Sequence, residues 1–285
     1  MRRIVTLIVI FFVASSGVLA QSSVWQAEKD DSVLYLGGTF HMLRESDFPL
    51  PTEFDKAYAA SDILVFETDI GQLESLQTQQ MILSKAMYTD GSTVDKHLKP
   101  ETYQLLQEHC AANGIPLAAI KVFKPSMIAI TLTVMELMKV GMTQDGVDQR
   151  FYRRGVNDEK PIDYFESIEQ QVEYIAGMGQ GNEDAYIVHT IKNVKNTGQL
   201  IDDLVAAWKN GDAGKLDTLM TEELKNTANL YEQLIVERNN NWMPKIREFQ
   251  ATPEKEYILV GVGHLVGSDG ILKMLADDGY RITQL

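Results

Sequence analysis

VLYLGGTFH at residues 33–41 and YILVGVGH at residues 257–264 are the stretches that decide the fold. Each is a short run of β-branched, aromatic and aliphatic residues that stops at glycine, a pattern that favours a buried strand over a helix. Each then delivers a histidine three residues after a glycine: Gly38 to His41 and Gly261 to His264. A third run of this kind, ILVF at 63–66, ends in Glu67-Thr68-Asp69. YRITQL at 280–285 and KPIDYF at 160–165 read as two further strands.

Between the second and third of the leading strands, apolar residues recur at spacings of three and four. The spacing predicts helices over 96–113, 125–140, 168–177, 182–210 and 221–249. Pro125 suits a first helical turn, where no backbone N–H is needed. The expectation is an α/β fold whose sheet is formed by N- and C-terminal strand–helix units, with a large helical middle region at about 95–250, all within one domain over 21–285. The shared Gly-x-x-His of the two leading strands is an internal echo compatible with a two-fold structural repeat.

Composition narrows the function. The 285 residues are 45% hydrophobic and 23% charged, which is ordinary globular usage. Their formal charge of −14 is the wrong sign for gripping a phosphate backbone, so nucleic acid is not an expected partner. The single cysteine, Cys110, excludes an internal disulfide and any multi-cysteine zinc site. At the N-terminus, Arg2 and Arg3 precede a nearly unbroken apolar run from Ile4 to Ala14, and Val18-Leu19-Ala20 leads into Gln21. This is the layout of a cleavable signal peptide at 1–20, and its apolar run is shorter than the ~20 residues that span a bilayer. Its removal takes away two arginines and carries the charge from −14 to −16. The expected mature chain is periplasmic or secreted and carries no membrane span.

In open α/β sheets ligands gather at the carboxyl ends of the strands, so three parallel neighbours would bring His41, Glu67 and His264 together. Neutral imidazoles and a carboxylate hold a divalent cation at ~2.0–2.2 Å and leave positions for water and substrate. Such an ion acidifies water and polarises a carbonyl. Gly38 and Gly261, lacking Cβ, let a ligand or another backbone approach. Two-residue alternation puts Glu67 and Asp69 on one side of their strand, with Phe66 and Thr68 on the other. Each histidine also has a plainer role, as partner of a backbone carbonyl, and each acid as a cap. In ERNNNW at 237–242, Arg238 and Asn239 sit in an apolar-periodic helix. Arg238 either fixes a carboxylate or a developing oxyanion, or pairs on a solvated face. His97 and His109 read as solvated, and Cys110 as a buried apolar residue. The Gly-x-Ser-x-Gly elbow, the phosphate-binding Gly-rich loop and the His-Glu-x-x-His helix are all missing from the sequence.

LYLGGTFHML, LPTEFDKAYAASDILVFETD, GVDQRFYRRG, KPIDYFESIEQQ, ERNNNW and YILVGVGHLVGSDGILKMLADDGYRITQL, in this order, resemble the TraB/GumN family from about Val24 to Leu285. The resemblance implies a site like that of the related Tiki metalloproteases, with two Gly-x-x-His motifs and an acidic residue. On this chain it implies His41, Glu67 and His264 as metal ligands, with Glu67 alternatively the general base. It adds Arg238 and Asn239 as the helical polar pair, Arg238 stabilising the oxyanion. The implied cofactor is a divalent metal, manganese or cobalt, with zinc as a further option, and the implied activity is hydrolysis of a peptide or small-molecule substrate. A wider group, including erythromycin-esterase-like and haem-binding ChaN-like proteins, is similar in its α/β core. It keeps open a metal-independent esterase, or a protein that binds peptide, haem or metal without catalysis.

Overall fold

The computed structural model describes residues 22–73, 75–225 and 229–285. The signal segment expected over 1–20 lies outside them. Six strands form one mixed sheet: β1 (Val24–Lys29), β2 (Ser32–Thr39), β3 (Ile63–Phe66), β4 (Ile162–Tyr164), β5 (Glu256–Gly261) and β6 (Arg281–Gln284). Their spatial order is β4-β3-β5-β2-β1-β6. The strand expected near the C-terminus thus closes one edge, and the short one at 162–164 closes the other.

The apolar runs predicted from sequence become the buried, parallel centre. β5 lies between β2 and β3 and is parallel to both, with Thr39 opposite Gly261 and Phe66 opposite Leu259. β4 extends this parallel set, with Phe66 opposite Tyr164. Strands covered on both faces are expected to be continuously apolar, and ILVF and YILV are. β1 was not foreseen: VWQAEK has only three apolar residues and carries charge at its end. It pairs antiparallel with β2 through a tight hairpin in which Asp30 takes the left-handed conformation at φ 52°.

The helices are α1 (Thr52–Ala60), α2 (Leu76–Ala86), α3 (Pro100–Ala112), α4 (Leu117–Ile120), α5 (Pro125–Lys139) and α6 (Val147–Asn157). They continue with α7 (Ile168–Gly177), α8 (Glu183–Asn193), α9 (Thr197–Lys209), α10 (Ala213–Lys225) and α11 (Glu237–Glu248). The short α12 (Val262–Leu265) and α13 (Ile271–Asp277) complete the set. Two predicted helices are interrupted. The stretch 182–210 breaks at a 3-10 turn, Val194–Asn196, and 221–249 contains a π turn, Glu232–Val236, just before α11. A π turn adds a residue to one turn and rotates the helix beyond it, a change that apolar spacing does not report.

The main core joins the sheet to α1, α6, α9 and α11, while the helical middle encloses a second core around Leu106, Cys110, Ile128 and Ile187. Cys110 is buried, as expected. His109 is buried as well, contrary to the solvated position expected of it, and burial lowers its pKa. Trp208, on α9, donates its indole N–H to the carbonyl of Gly38 at 2.7 Å, tying the helical middle to the end of β2. Among the described residues no helix is long and apolar enough to cross a membrane.

The loop that carries His41 is held from the other side by Gly146, the N-cap of α6. A Cβ at this position would lie 2.3 Å from the carbonyl oxygen of Phe40 and 2.4 Å from that of His41. Gly146 is therefore required by close approach between two backbones, since its φ of −81° suits any residue. Gly146→Ala should cost about 1–3 kcal/mol by overpacking, read as a lower melting temperature with the circular dichroism spectrum preserved.

Candidate active site

The carboxyl ends of all four parallel strands meet at one edge of the sheet. β3 runs into Glu67, β5 into Gly261 and then His264 in α12, and β2 into His41. β4 contributes a residue not foreseen. Its pairing with β3 continues past the strand, with Phe165 N–H donating to Phe66 O at 3.0 Å and Glu166 N–H to Glu67 O at 2.8 Å. This sets Glu166 beside Glu67, so two carboxylates are buried next to each other.

Two adjacent buried carboxylates need a cation, and Arg238 on α11 supplies it. Its Nε and Nη2 donate to the two oxygens of Glu166 at 2.8 and 2.9 Å, Nη2 also donates to Glu67 at 2.7 Å, and Nη1 meets His264 Nε2 at 3.0 Å. The solvated-face alternative for this residue is thereby removed, because Arg238 is only 7% exposed. Glu67 is completed by the N–H of Gly261 at 2.7 Å, and Glu166 by the indole N–H of Trp242 at 2.8 Å.

These contacts fix the proton on His264. Asn239 donates its amide to two carbonyls, His264 at 3.0 Å and Asp269 at 2.8 Å, so its Oδ1 is the acceptor facing His264 Nδ1 at 2.8 Å. Nδ1 therefore carries hydrogen, and Nε2 presents a lone pair to the donor-only guanidinium. Burial pushes the imidazole down to about 3 and keeps it neutral. Burial by itself would raise Glu67, but the charge of Arg238 and the Gly261 N–H outweigh it and hold the carboxyl well below the usual carboxylate range.

His41 lies in a different environment. It is exposed, and its Nδ1 meets Asp148 Oδ2 at 2.8 Å. The Asp148 carboxylate raises its pKa and leaves Nε2 as the atom that exchanges a proton. A cavity of about 360 Å³ opens here, bounded by His41, Glu67 and Asp148 among others. His264 and Arg238 lie behind Glu67 and are not part of its lining.

Asn239 thus orients His264, and Gly261 supports Glu67. Gly38 has Val262 against it, where a Cβ would meet Val262 Cγ2 at 2.7 Å. Asp69 caps the turn after β3 through the N–H of Gly71 at 3.1 Å, and it is not among the cavity-lining residues. The alternation expected of Glu67 and Asp69 ends with the strand at Phe66, and the cavity is lined instead by Phe66, Glu67 and Thr68. Of the residues not foreseen, Glu166 repeats part of the signal that marked Glu67, an acid directly after the stretch 160–165 read as a strand. Asp148 carries no such signal, since it lies in the first turn of α6 and meets His41 only through the fold.

The model of the TraB/PrgY/gumN family matches residues 23–284. The chain belongs to that family. The match takes in every residue of the site, from Thr39 at the end of β2 to Asp269 after α12. No curated protein and no solved structure matches the chain. Family membership and the α/β architecture with its helical middle therefore stand together, and the chemistry rests on the side chains.

Removing one partner of a buried ion pair costs about 3–5 kcal/mol because the other charge is left uncompensated. Glu166→Ala should lower stability by that order. Arg238→Met, with both carboxylates stranded, should be at least as damaging, and the double variant less damaging than the sum of the two in chemical denaturation.

The same contacts set the sign of the pH dependence. The stability contributed by ionised Glu67 is complete above its ordinary value of 4.5 and is lost as pH falls below it. His264 is neutral in the fold, whereas the unfolded chain takes up a proton below 6.5, so its effect has the same sign between 6.5 and about 3. His41 and Glu256, raised to about 9 and about 7, act in the opposite sense above about pH 5, so melting temperature should fall from about pH 5 to pH 3, and Glu67→Gln should be less stable at pH 7 but flatten that decline.

Proposed function

We propose that this protein is an exported hydrolase that uses a divalent cation to cleave a peptide, amide or ester bond. The observation that carries the reading is the convergence of His41, Glu67 and His264 at the ends of three adjacent parallel strands. In addition, Asp148 and Asn239 each engage an Nδ1 and leave the Nε2 atoms as the ligating positions. Histidine ligands to metals are commonly oriented in this way, by a second hydrogen bond from the far ring nitrogen.

The donor set fits a cation by type: two imidazole Nε2 atoms and one carboxylate, with neutral His264 and ionised Glu67 already in their ligating forms. Among the described residues no three His, Cys, Asp or Glu side chains are close enough to hold a metal as they stand. Arg238 is the competitor, since its Nη1 faces the His264 lone pair and its Nη2 holds Glu67. Cation binding therefore calls for Arg238 to withdraw from His264 while Glu166 retains its charge. Manganese or cobalt, with zinc as a further option, would supply Lewis acidity and an acidified water.

The chain's own groups then divide the work. Glu67, held below the usual range, is a poor base near neutral pH, which favours its ligand role over the general-base role. Arg238, buried and held by four hydrogen bonds, positions Glu67 and His264, a role its surroundings favour over contact with a substrate oxyanion. His41 Nε2, at the cavity, is the remaining ligating atom and must first release the proton that the Asp148 carboxylate favours, while Asp148 fixes its ring.

The Arg238–His264 contact also favours a second reading, a binding protein in which the guanidinium stays in place and no cation enters. One experiment separates the two. Metal-stripped protein is titrated calorimetrically with manganese, cobalt and zinc, alongside His41→Ala and His264→Ala, and peptide hydrolysis is followed with and without a chelator. The hydrolase reading expects one saturable site lost in both variants and chelator-sensitive cleavage. Folded protein that binds no cation, or cleavage indifferent to chelation and to both substitutions, would overturn it.

A further inference from the structure

The cavity beside His41 is lined by two chemically distinct sets of side chains. One is apolar, made by Met42, Phe66, Ile70, Leu73, Ile175 and Leu259. The other is polar and carries Thr39, Thr68, Asp148 and the amides of Gln144, Gln149 and Gln171 beside His41 and Glu67. Lysine and arginine are missing from the lining, although the chain has 26 of them.

Three atoms of the polar set are buried and lack a hydrogen-bond partner: Thr39 Oγ1, Thr68 Oγ1 and Asp148 Oδ1. Thr39 and Thr68 are each only 3% exposed. Buried polar atoms are nearly always satisfied, so three orphans on the wall of one cavity ask for a common partner. The hydroxyls can donate or accept, while Asp148 Oδ1, its sister oxygen already engaged by His41, can only accept. This is the complement of an amide, which offers one carbonyl and one N–H. Ile175 is 36% exposed at the end of α7, an apolar side chain that the fold leaves partly uncovered at this cavity.

We propose that the cavity is a subsite for one uncharged, apolar residue of a peptide. The main-chain amide of that residue is bonded by Thr39, Thr68 and Asp148 Oδ1, and its side chain lies against Phe66, Ile70, Leu73 and Ile175. A free carboxylate is disfavoured, because the two carboxylates Glu67 and Asp148 outnumber the single basic group of the wall, His41, which Asp148 already engages. That the bound peptide is a substrate rests on the hydrolase reading; that it binds does not. Thr39, Thr68 and Ile175 are thereby binding and specificity residues, separate from the ligating set.

The test uses the full mature protein with its methionine methyl groups labelled, the Met42 signal being assigned by Met42→Leu. The probes are N-acetyl-leucinamide, N-acetyl-aspartamide with a free side-chain carboxylate, and N-acetyl-lysinamide. The leucine probe should shift Met42 saturably, and the two charged probes should bind at least tenfold more weakly. Thr68→Val, which removes one hydroxyl at constant shape, should weaken the leucine probe by about tenfold. Ile175→Lys, at a partly exposed helix position, should weaken it likewise and admit the aspartate probe. Equal response to all three probes, no response to any, or binding indifferent to both substitutions would overturn the subsite. Hydrolysis of a mixed peptide library is scored in parallel. Cleavage without preference for apolar residues would sink the subsite and leave the hydrolase reading intact. Selective Met42 binding without any cleavage would do the reverse.

Discussion

The guanidinium of Arg238 is the group on which the site depends. Two carboxylates, Glu67 and Glu166, are brought together at the ends of neighbouring parallel strands, where burial by itself would force one of them to take a proton. A single planar cation with a fork of donors answers both and also reaches His264. Lysine, a point charge with no fork, could not make the same set of contacts. Because Arg238 is committed on three sides, α11 is fixed against β3, β4 and α12, and the π turn before it sets its rotation.

A chain of hydrogen bonds carries this constraint outward to proton positions. Asn239 is adjacent to Arg238, and its amide is oriented by two carbonyls, which in turn dictates the tautomer of His264. One helix thus sets the charge of a carboxylate and the lone pair of an imidazole together. His41 is governed separately, by α6 and Asp148, and stands at the open cavity. The site therefore has a rigid, buried half and an accessible half, joined at Glu67, an arrangement suited to holding chemistry in place while ligand comes and goes.

Much of this was legible in the residues. ILVF kept its predicted bounds, and the other leading strands shifted by a residue or so, because continuously apolar β-branched runs have no other stable place than the middle of a sheet. Helix 168–177 also matched, since Ser167 and Gln170 form a capping box that marks its start. β1 was missed because its apolar residues are too few to signal a strand without a partner. The breaks in the long helical stretches were missed because a 3-10 or π turn preserves local hydrophobicity. His109 was misplaced because its neighbours in sequence are polar, while its burial comes from the packing of the helical middle.

The sequence by itself determined which residues follow the strands, and in a parallel sheet that is enough to put His41, Glu67 and His264 at the same end of it. Only the tertiary structure decided what these residues touch. The insertion of β5 between β2 and β3 joins segments some 200 residues apart, and no local pattern encodes that order. Asp148 and Glu166 became part of the site through contacts spanning 107 and 72 residues. Whether an acid is a cap, as Asp69 is, or a buried anion, as Glu67 is, depends on the partners that the whole fold brings within about 3 Å, because charge in a low-dielectric interior is decided by its nearest neighbours.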